Sequence, residues 1–384
     1  MFIDGLGSGG AQKQFVSLAA GLSGRGHRVT VVVYNDLDHF APELKKVGIN
    51  IVRLAKPFRW SPKPILELAR LYRRMDADAV VAFLRSPAAK AEMARILDPQ
   101  MRVVVAERSI YDDGPLPLGL RLTQSMHRLA EYVTVNSRCQ HLRMQEQLPS
   151  LAKRLVTINN AVNLPPDAVE ISEAIVDAPR VLAISSLMPY KNSVLLAHAL
   201  AHLRDAFGIE AKVSWLGETF GHMKDYGAYR ETCAAIAVLG LADQWTWLGV
   251  RGDVDDVIAR HDVLVHPSGI EGMSNAVTEA MAMGLPVIAG RISDHPDIIE
   301  NTGAGLLFPT FDAESIAETI ALFCRMDRAS RQAMGDAGRR TIAERFTEDG
   351  LVDRYERVLD AAIDGTPLRL DSATNPAEGR PCAV

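Results

Sequence analysis

VLVHPSGIEGMSNAVTEAMAMGLPVIAG, residues Val263 to Gly290, decides how this chain is read. It begins and ends in short apolar β-type runs, Val263-Leu264-Val265 and Pro286-Val287-Ile288-Ala289. Between them Ser274 or Asn275 suits a helix N-cap and Ala276 to Met283 are mostly strong helix formers. Gly284, with Pro286 just beyond, is a stop signal. Strand, loop, helix, strand is a βαβ unit, which is right-handed and belongs to a parallel sheet. In such sheets a ligand lies beyond the carboxyl ends of the strands, where a helix N-terminus offers free N–H groups. The loop Pro267 to Asn275 occupies that place.

Two carboxylates belong to this loop and helix. Glu271 precedes the helix and Glu279 lies 8 residues on, within it. From different depths both can face one ligand. A carboxylate accepts two hydroxyl hydrogen bonds at once, so paired sugar or ribose hydroxyls suit it. Gly272 lets the backbone approach closely. The plainer alternative is a capping glutamate and a solvated one, since acidic residues are favoured near helix N-termini.

A length of 384 residues suggests two domains of ordinary size, and 48% hydrophobic against 23% charged residues gives ample core. No apolar run approaches membrane-span length and no secretory signal opens the chain. Cys139, Cys233, Cys324 and Cys382 form no CxxC pair and no metal spacing, which points to a reducing cytoplasm. The net charge of −5 is unevenly spread. Residues 1–165 hold 23 Lys and Arg against 14 Asp and Glu, while the remainder is acidic. A basic first half suits an anionic partner such as a phosphate-linked substrate or a membrane surface. No zinc-finger, RNA-recognition or basic-zipper pattern supports nucleic acid.

From the amino terminus, a strand at Met1-Phe2-Ile3 runs into a glycine loop and a helix from about Ala11 to Ser23. Val29 to Tyr34 is the next strand. Gly5, Gly7 and Gly10 satisfy G-x-G-x-x-G, which keeps dinucleotide binding open beside a simple tight turn. Residues 56–75 interleave Lys56, Arg59, Lys63, Arg70, Arg73 and Arg74 with Phe58, Trp60 and Tyr72. That mixture fits a membrane interface or an ordinary amphipathic helix with a basic side. Further strands are predicted at Ala79–Phe83, Arg102–Ala106, Tyr132–Val135 and Leu155–Ile158. Residues 164–179 read as a linker. The α/β pattern then restarts with strands at Val181–Ser185, Lys212–Leu216 and Trp245–Leu248, and closes with helices at Ala313–Met326, Arg331–Arg345 and Thr347–Ile363. The tail 365–384 reads as disordered.

E-G-M-S-N-A-V-T-E-A-M-A-M-G-L-P-V-I-A, from Glu271, resembles the E-x7-E signature of the retaining GT-B glycosyltransferases of family 4. Ser8-Gly9-Gly10-Ala11-Gln12 resembles that family's N-terminal glycine loop. Ile158-Asn159-Asn160-Ala161-Val162-Asn163 resembles its turn before the linker. The resemblance implies an α/β GT-B fold: two Rossmann-like domains facing across a cleft. Residues 1–163 with the returning helix 347–363 would bind the acceptor, and 180–346 the donor. It implies a nucleotide-sugar donor, UDP- or GDP-linked, and a glycan or lipid-linked acceptor in bacterial polysaccharide or lipopolysaccharide assembly. The enzyme would be cytoplasmic, with peripheral contact at an anionic membrane face and no metal or other cofactor.

It also implies roles. Glu271 would contact hydroxyls of the donor sugar and Glu279 the ribose. Backbone N–H groups of Gly272, Met273, Ser274 and Asn275 would face sugar and diphosphate. Lys191 would neutralise the diphosphate as its bond to the sugar breaks, where a preorganised cation is stabilising. Gly9 and Gly10 would approach from the other side. The chain departs from the family pattern at Ser186, where an arginine is usual, so Arg251 or Arg291 is a candidate substitute. Glu107 and Arg108 stand where many relatives carry a histidine. Arg108 becomes a candidate for acceptor or donor phosphate, with an ion pair to Glu107 or Asp112 as its alternative. Ala161 replaces a turn glycine. His266 and His295 read as donor-pocket candidates or as satisfied structural histidines. Other activities stay open at this stage: a GT-B epimerase or phosphorylase, a non-catalytic sugar-nucleotide binder, or an NAD-dependent dehydrogenase.

Overall fold

The computed structural model describes residues 1–58, 61–108, 117–172, 178–218 and 227–368. Two compact units emerge. The first joins residues 1–161 to the helix Glu348–Asp364; the second runs from Val162 to Thr347.

Six strands build the first unit: β1 (Thr30–Val33), β2 (Asn50–Arg53), β3 (Val80–Phe83), β4 (Val103–Glu107), β5 (Tyr132–Val135) and β6 (Leu155–Thr157). Every pairing is parallel. The strand expected at Met1–Ile3 is reduced to bridges from Phe2 to Val32 and Ala82, which place it between β1 and β3. Asp4 ends it by turning its carbonyl to the N–H groups of Tyr34 and Asn35. The sheet order is therefore β2, β1, Phe2, β3, β4, β5, β6.

Val81, Phe83, Val104 and Ala106 face one side, against Phe15, Leu18 and Leu22 of helix Gly10–Gly24 and Leu351 and Tyr355 of the returning helix. Phe2, Val80, Ala82 and Val103 face the other, against Leu68, Ala88 and Ala91. Both faces are covered, which is why these strands are apolar throughout rather than alternating. Helix Lys63–Met75 buries Leu68 and Ala69 and leaves its basic side to solvent, with Arg73 paired to Asp98 at 2.7 Å. Arg59 and Trp60 lie outside the described residues.

Six parallel strands also build the second unit: β7 (Arg180–Ile184), β8 (Lys212–Leu216), β9 (Trp245–Gly249), β10 (Val263–His266), β11 (Val287–Gly290) and β12 (Gly305–Phe308). Their order is β12-β11-β10-β7-β8-β9. The chain steps outward from β7 to β9, then returns to the opposite side of β7 with β10. The switch point of this sheet lies between β7 and β10, and in open α/β sheets the crevice beyond the carboxyl ends opens at such a point.

The linker expected at 164–179 is not a free tether. Val162 N–H donates to Phe346 O and Val169 N–H to Met283 O. Arg339 donates to the carbonyls of Pro165 and Asp167, Arg328 to Ile171 O and Arg331 to Ser172 O. Three arginines of helix Arg328–Arg345 thus strap residues 162–172 onto the second unit, satisfying carbonyls that the prolines leave without a ladder. Residues 173–177 lie outside the described residues. The first residues of the expected tail are held in place. Thr366 O accepts from Tyr132 Oη at 3.0 Å, whose oxygen accepts in turn from Leu368 N–H, also at 3.0 Å. Residues 369–384 lie outside the described residues. Among the described residues no helix is long and apolar enough to cross a membrane.

Candidate functional site

The second unit gathers its polar side chains at the carboxyl ends of β7 and β10. These strands are neighbours, with Val181 paired to Val263, so the loops leaving them lie side by side. The two loops are tied: Gly269 N–H donates to Tyr190 O at 2.8 Å, and Asn192 Nδ2 donates to Pro267 O at 2.9 Å. Asn192 sits at φ 56°, a left-handed conformation that asparagine tolerates, and so turns the chain into helix Ser193–Phe207. The β7 loop also crowds the end of β8. Gly217 has φ 142°, and a Cβ there would lie 2.2 Å from Ser185 O, so only glycine fits.

This frame brings Lys191 to Glu271. Lys191 Nζ lies 2.5 Å from Glu271 Oε1, and His266 Nε2 approaches the same oxygen at 2.8 Å. A carboxylate only accepts, so the Nε2 of His266 carries a proton here. The Glu271 side chain is 8% exposed and that of Lys191 16%, so the ion pair is largely shielded. Burial alone would raise the Glu271 pKa. The Lys191 charge and the His266 hydrogen bond outweigh it and hold the carboxyl well below its usual range.

Behind His266 stands His295, the ring centroids 6.0 Å apart. His295 Nδ1 donates to Gly290 O at 2.8 Å, and burial pushes this ring down to about 4, so it is neutral. His266 therefore belongs to the site, whereas His295 supports it from within the core.

The helix that follows is Asn275–Met283, capped by Ser274, whose Oγ accepts from Val277 N–H at 3.5 Å. It ends at Gly284 in the left-handed region, φ 76°. Met273, Val277 and Met281 are buried in the core, which fixes the helix N-terminus over the end of β10. Ser293 Oγ donates to Gly272 O at 2.7 Å and pins the turn before the helix. Asn275 and Glu279 are half-buried on the helix. Lys191, Glu271, Gly272, Ser274, Asn275 and Glu279 thus share one loop-and-helix frame, with Met273 contributing backbone there and side chain to the core.

The two arginines considered as substitutes at position 186 are engaged elsewhere: Arg251 pairs with Asp253 at 2.5 Å, and Arg291 with Glu300. Lys191 is the cation this arrangement offers beside Glu271.

Gly9, Gly10 and Arg108 belong to the first unit. Gly9 is the N-cap of helix Gly10–Gly24, and both glycines are exposed. Arg108 is not ion-paired to Glu107, and Asp112 lies outside the described residues. Its guanidinium donates to Tyr355 Oη at 2.8 Å, Asn160 Oδ1 at 3.2 Å and Ile158 O at 3.3 Å, and lies over the Phe83 ring. Nearby, Gln14 brackets the backbone of Ala161 with Oε1 and Nε2 hydrogen bonds of 2.9 and 2.7 Å. Ala161 is not among the residues of positive φ, so the missing glycine costs nothing there.

With this geometry in place, comparison with known proteins gives a consistent answer. Residues 8–165 match the profile described as Glycosyltransferase Family 4, and residues 178–325 the one described as Glycosyl transferases group 1. The chain belongs to the group 1, family 4 glycosyltransferases. Among curated members, a Campylobacter jejuni N-acetylgalactosaminyltransferase acting on an N-acetylgalactosamine-N,N'-diacetylbacillosaminyl-diphospho-undecaprenol is 25% identical over 77% of this chain and 80% of its own. D-inositol 3-phosphate glycosyltransferase of Saccharomonospora viridis is 34% identical over 34% of this chain and 31% of its own, so the chain spans about a third of that relative's length. Among solved structures, Anabaena HepE in complex with UDP and glucose superposes with a TM-score of 0.81 at 19% identity, covering 94% of this chain and 98% of that one. The shared fold is GT-B.

The role of His266 was the part of the site that sequence left undecided. The signal that bears on it is its place as the last residue of β10, five residues before Glu271 at the end of a ligand-facing strand.

Proposed function

We propose that this family member transfers a sugar, with retention, from a nucleotide-sugar to a glycan or lipid-linked acceptor. The observation that carries the reading is the Lys191–Glu271–His266 contact at the β7/β10 switch point, beside the capped N-terminus of helix Asn275–Met283. Leaving-group charge develops on a nucleoside diphosphate. Lys191 and the N–H groups of Gly272 to Asn275 are held where they can stabilise it, in place of a divalent ion. As the diphosphate draws on Lys191, the Glu271 carboxylate keeps His266 and becomes available to sugar hydroxyls. Glu279, about two turns further along, takes the ribose. Gly9, Gly10 and Arg108 serve from the first unit, which takes the acceptor.

The UDP complex of HepE and the GDP-mannose-dependent mannosyltransferase name of a Mycobacterium tuberculosis relative support a UDP- or GDP-linked donor. The diphospho-undecaprenol substrate of the Campylobacter relative supports a lipid-linked acceptor, for which peripheral contact with an anionic membrane would serve. A thermal-shift series against UDP-, GDP- and ADP-sugars tests the donor half. One nucleotide series should raise the melting temperature by several degrees, because a ligand bound only to the native state stabilises it. A flat response to all three would remove the proposal.

A further inference from the structure

The first unit has a switch point of its own. Phe2 stands between β1 and β3, and the chain runs from it through β1 to β2 on one side, then crosses to β3 on the other. Beyond these carboxyl ends, Tyr34 follows β1, Lys56 follows β2, and Arg85 and Ser86 open helix Arg85–Leu97 after β3. Lys56 Nζ lies 4.5 Å from the centroid of the Tyr34 ring, and Lys90 Nζ 4.6 Å from the same centroid. Two ammonium groups share one aromatic ring.

What these cations lack is a carboxylate. Among the described residues neither Lys56, Lys90 nor Arg85 has an acidic partner within ion-pair distance. The acidic groups nearby are otherwise engaged. Arg53 takes Asp36 at 2.6 Å and Asp38 at 2.8 Å. Asp4 acts on both lysines only at longer range and spends Oδ1 on Gly5 N–H at 2.8 Å. Among the described residues Lys56 has one hydrogen-bond acceptor, Asn35 Oδ1, at 3.5 Å. Burial, and then Lys56, push the Lys90 ammonium down to about 8, with Asp4 pulling weakly the other way.

The remaining groups are donors too. Ser86 Oγ accepts from Tyr34 Oη at 2.8 Å and from Lys90 Nζ at 2.6 Å. With two donors on that oxygen, its own hydrogen is left to donate outward. Leu84 holds φ 71° at the mouth of this loop, a conformation a leucine adopts only under constraint and one found at ligand-binding turns.

We infer that Lys56, Lys90, Ser86 and the first turn of helix Arg85–Leu97 form a subsite for a phosphate or diphosphate group on the acceptor. An acceptor-only oxyanion is the ligand that answers a set made of donors with surplus positive charge. This deepens the proposed function and rests on its assignment of the acceptor to the first unit. The same chemistry suits a diphosphate on a polyprenyl carrier and a soluble sugar phosphate.

The test uses the full chain carrying Lys191→Ala, so that the second unit's cation is removed, and measures inorganic pyrophosphate binding by calorimetry. Binding should persist in that background and weaken about tenfold or more with Lys56→Gln and Lys90→Gln together, since each loses a charged hydrogen bond. Lys56→Arg with Lys90→Arg should restore it. Pyrophosphate affinity that ignores the glutamine pair, or that vanishes with Lys191→Ala alone, overturns the subsite. Two further arms identify the source. Flotation with phosphatidylcholine vesicles carrying a polyprenyl diphosphate, lost in the glutamine pair, assigns a lipid carrier. Lysine-dependent binding of glucose 6-phosphate without flotation assigns a soluble acceptor, and lysine dependence in neither arm overturns the inference. A flat nucleotide-sugar thermal shift would leave these binding results standing, so the two proposals fail separately.

Discussion

Each unit buries a carboxylate against a histidine, and the two carboxylates move in opposite directions. In the second unit Glu271 meets His266 at 2.8 Å and Lys191 at 2.5 Å, and its pKa falls far below the usual range. In the first, Glu92 meets His127 Nδ1 at 2.7 Å with Glu107 3.6 Å from the other ring nitrogen, and burial raises the Glu92 carboxyl against the histidine's pull. Among the described contacts the difference is Lys191, a permanent cation held against Glu271. With Lys191 present, the carboxylate stays ionised. At Glu92 the described cation is the histidine itself: burial would lower the His127 pKa, but Glu107 and Glu92 together push it up to about 9. The first cluster is sealed, with His127 1% exposed, and holds the turn Met126–Leu129 against helix Arg85–Leu97. The second sits at a switch point under a helix N-terminus. A buried charge cluster marks a site when its ions are placed to be re-partnered by a ligand, and a piece of core when they are not.

Lys191→Ala breaks the contrast most directly, because it turns the second cluster into a version of the first. Turnover should fall about 100-fold or more, the scale for losing a preorganised group at a developing charge. Steady-state rates with the nucleotide-sugar found by thermal shift give the check, and a near-normal rate would move the diphosphate role to another residue. The pH dependence should change as well. The depressed Glu271 pKa contributes stability at pH above the unfolded value of 4.5 and loses it as pH falls below. In Lys191→Ala that acid-side loss should become shallower.

His127→Gln sharpens the comparison from the other side. A raised histidine pKa contributes stability that is fully present below the unfolded value of 6.5 and is lost as pH rises toward about 9. The contribution is on the order of 3 kcal/mol, reduced by the cost of burying Glu92. Unfolding midpoints measured from pH 6 to 10 should therefore decline in the wild-type chain and stay flatter in the variant, while the nucleotide-sugar thermal shift at pH 6 is retained. An identical decline in both proteins would mean that His127 is not the titrating group.

Much of the second site was legible in the chain. Gly284, the helix formers before it and the apolar runs around it fix a βαβ unit, and the glutamate spacing places Glu271 and Glu279 on it. The strands that were read from the sequence, Met1–Ile3 aside, were placed to within a residue or two, because both-face burial leaves continuous apolar runs, whereas β2 (Asn50–Arg53) and β12 (Gly305–Phe308) were missed. What sequence periodicity does not carry is partnership across long separations. It shows neither that Glu92 and Glu107 are buried nor that His127, 35 residues beyond Glu92, lies against both. It gives no sign that Arg328, Arg331 and Arg339 strap the expected linker down. It counts Lys56 among basic residues beside an amphipathic helix, while its partner ring, Tyr34, lies 22 positions upstream. Arg108 was placed as a ligand group or an ion pair, and its hydrogen bond to Tyr355, on a helix returning from the far end of the chain, has no local signal.

The smallest expected effect concerns Glu279, which lies half-buried on the helix that follows the Glu271 turn. Its proposed partner is a neutral ribose, not a cation, so its removal should act on ligand affinity and leave the charge balance of the Lys191 cluster alone. Glu279→Ala should weaken nucleoside diphosphate binding by about 1.5–3 kcal/mol, the range for hydrogen bonds to a charged group. Calorimetry with UDP and GDP reads this directly. Because Glu279 occupies a helix position where alanine is the better helix former, the variant should fold at least as well as the parent. Affinity unchanged for every nucleoside diphosphate would leave Glu279 as a solvated helix residue and confine the acidic part of the site to Glu271.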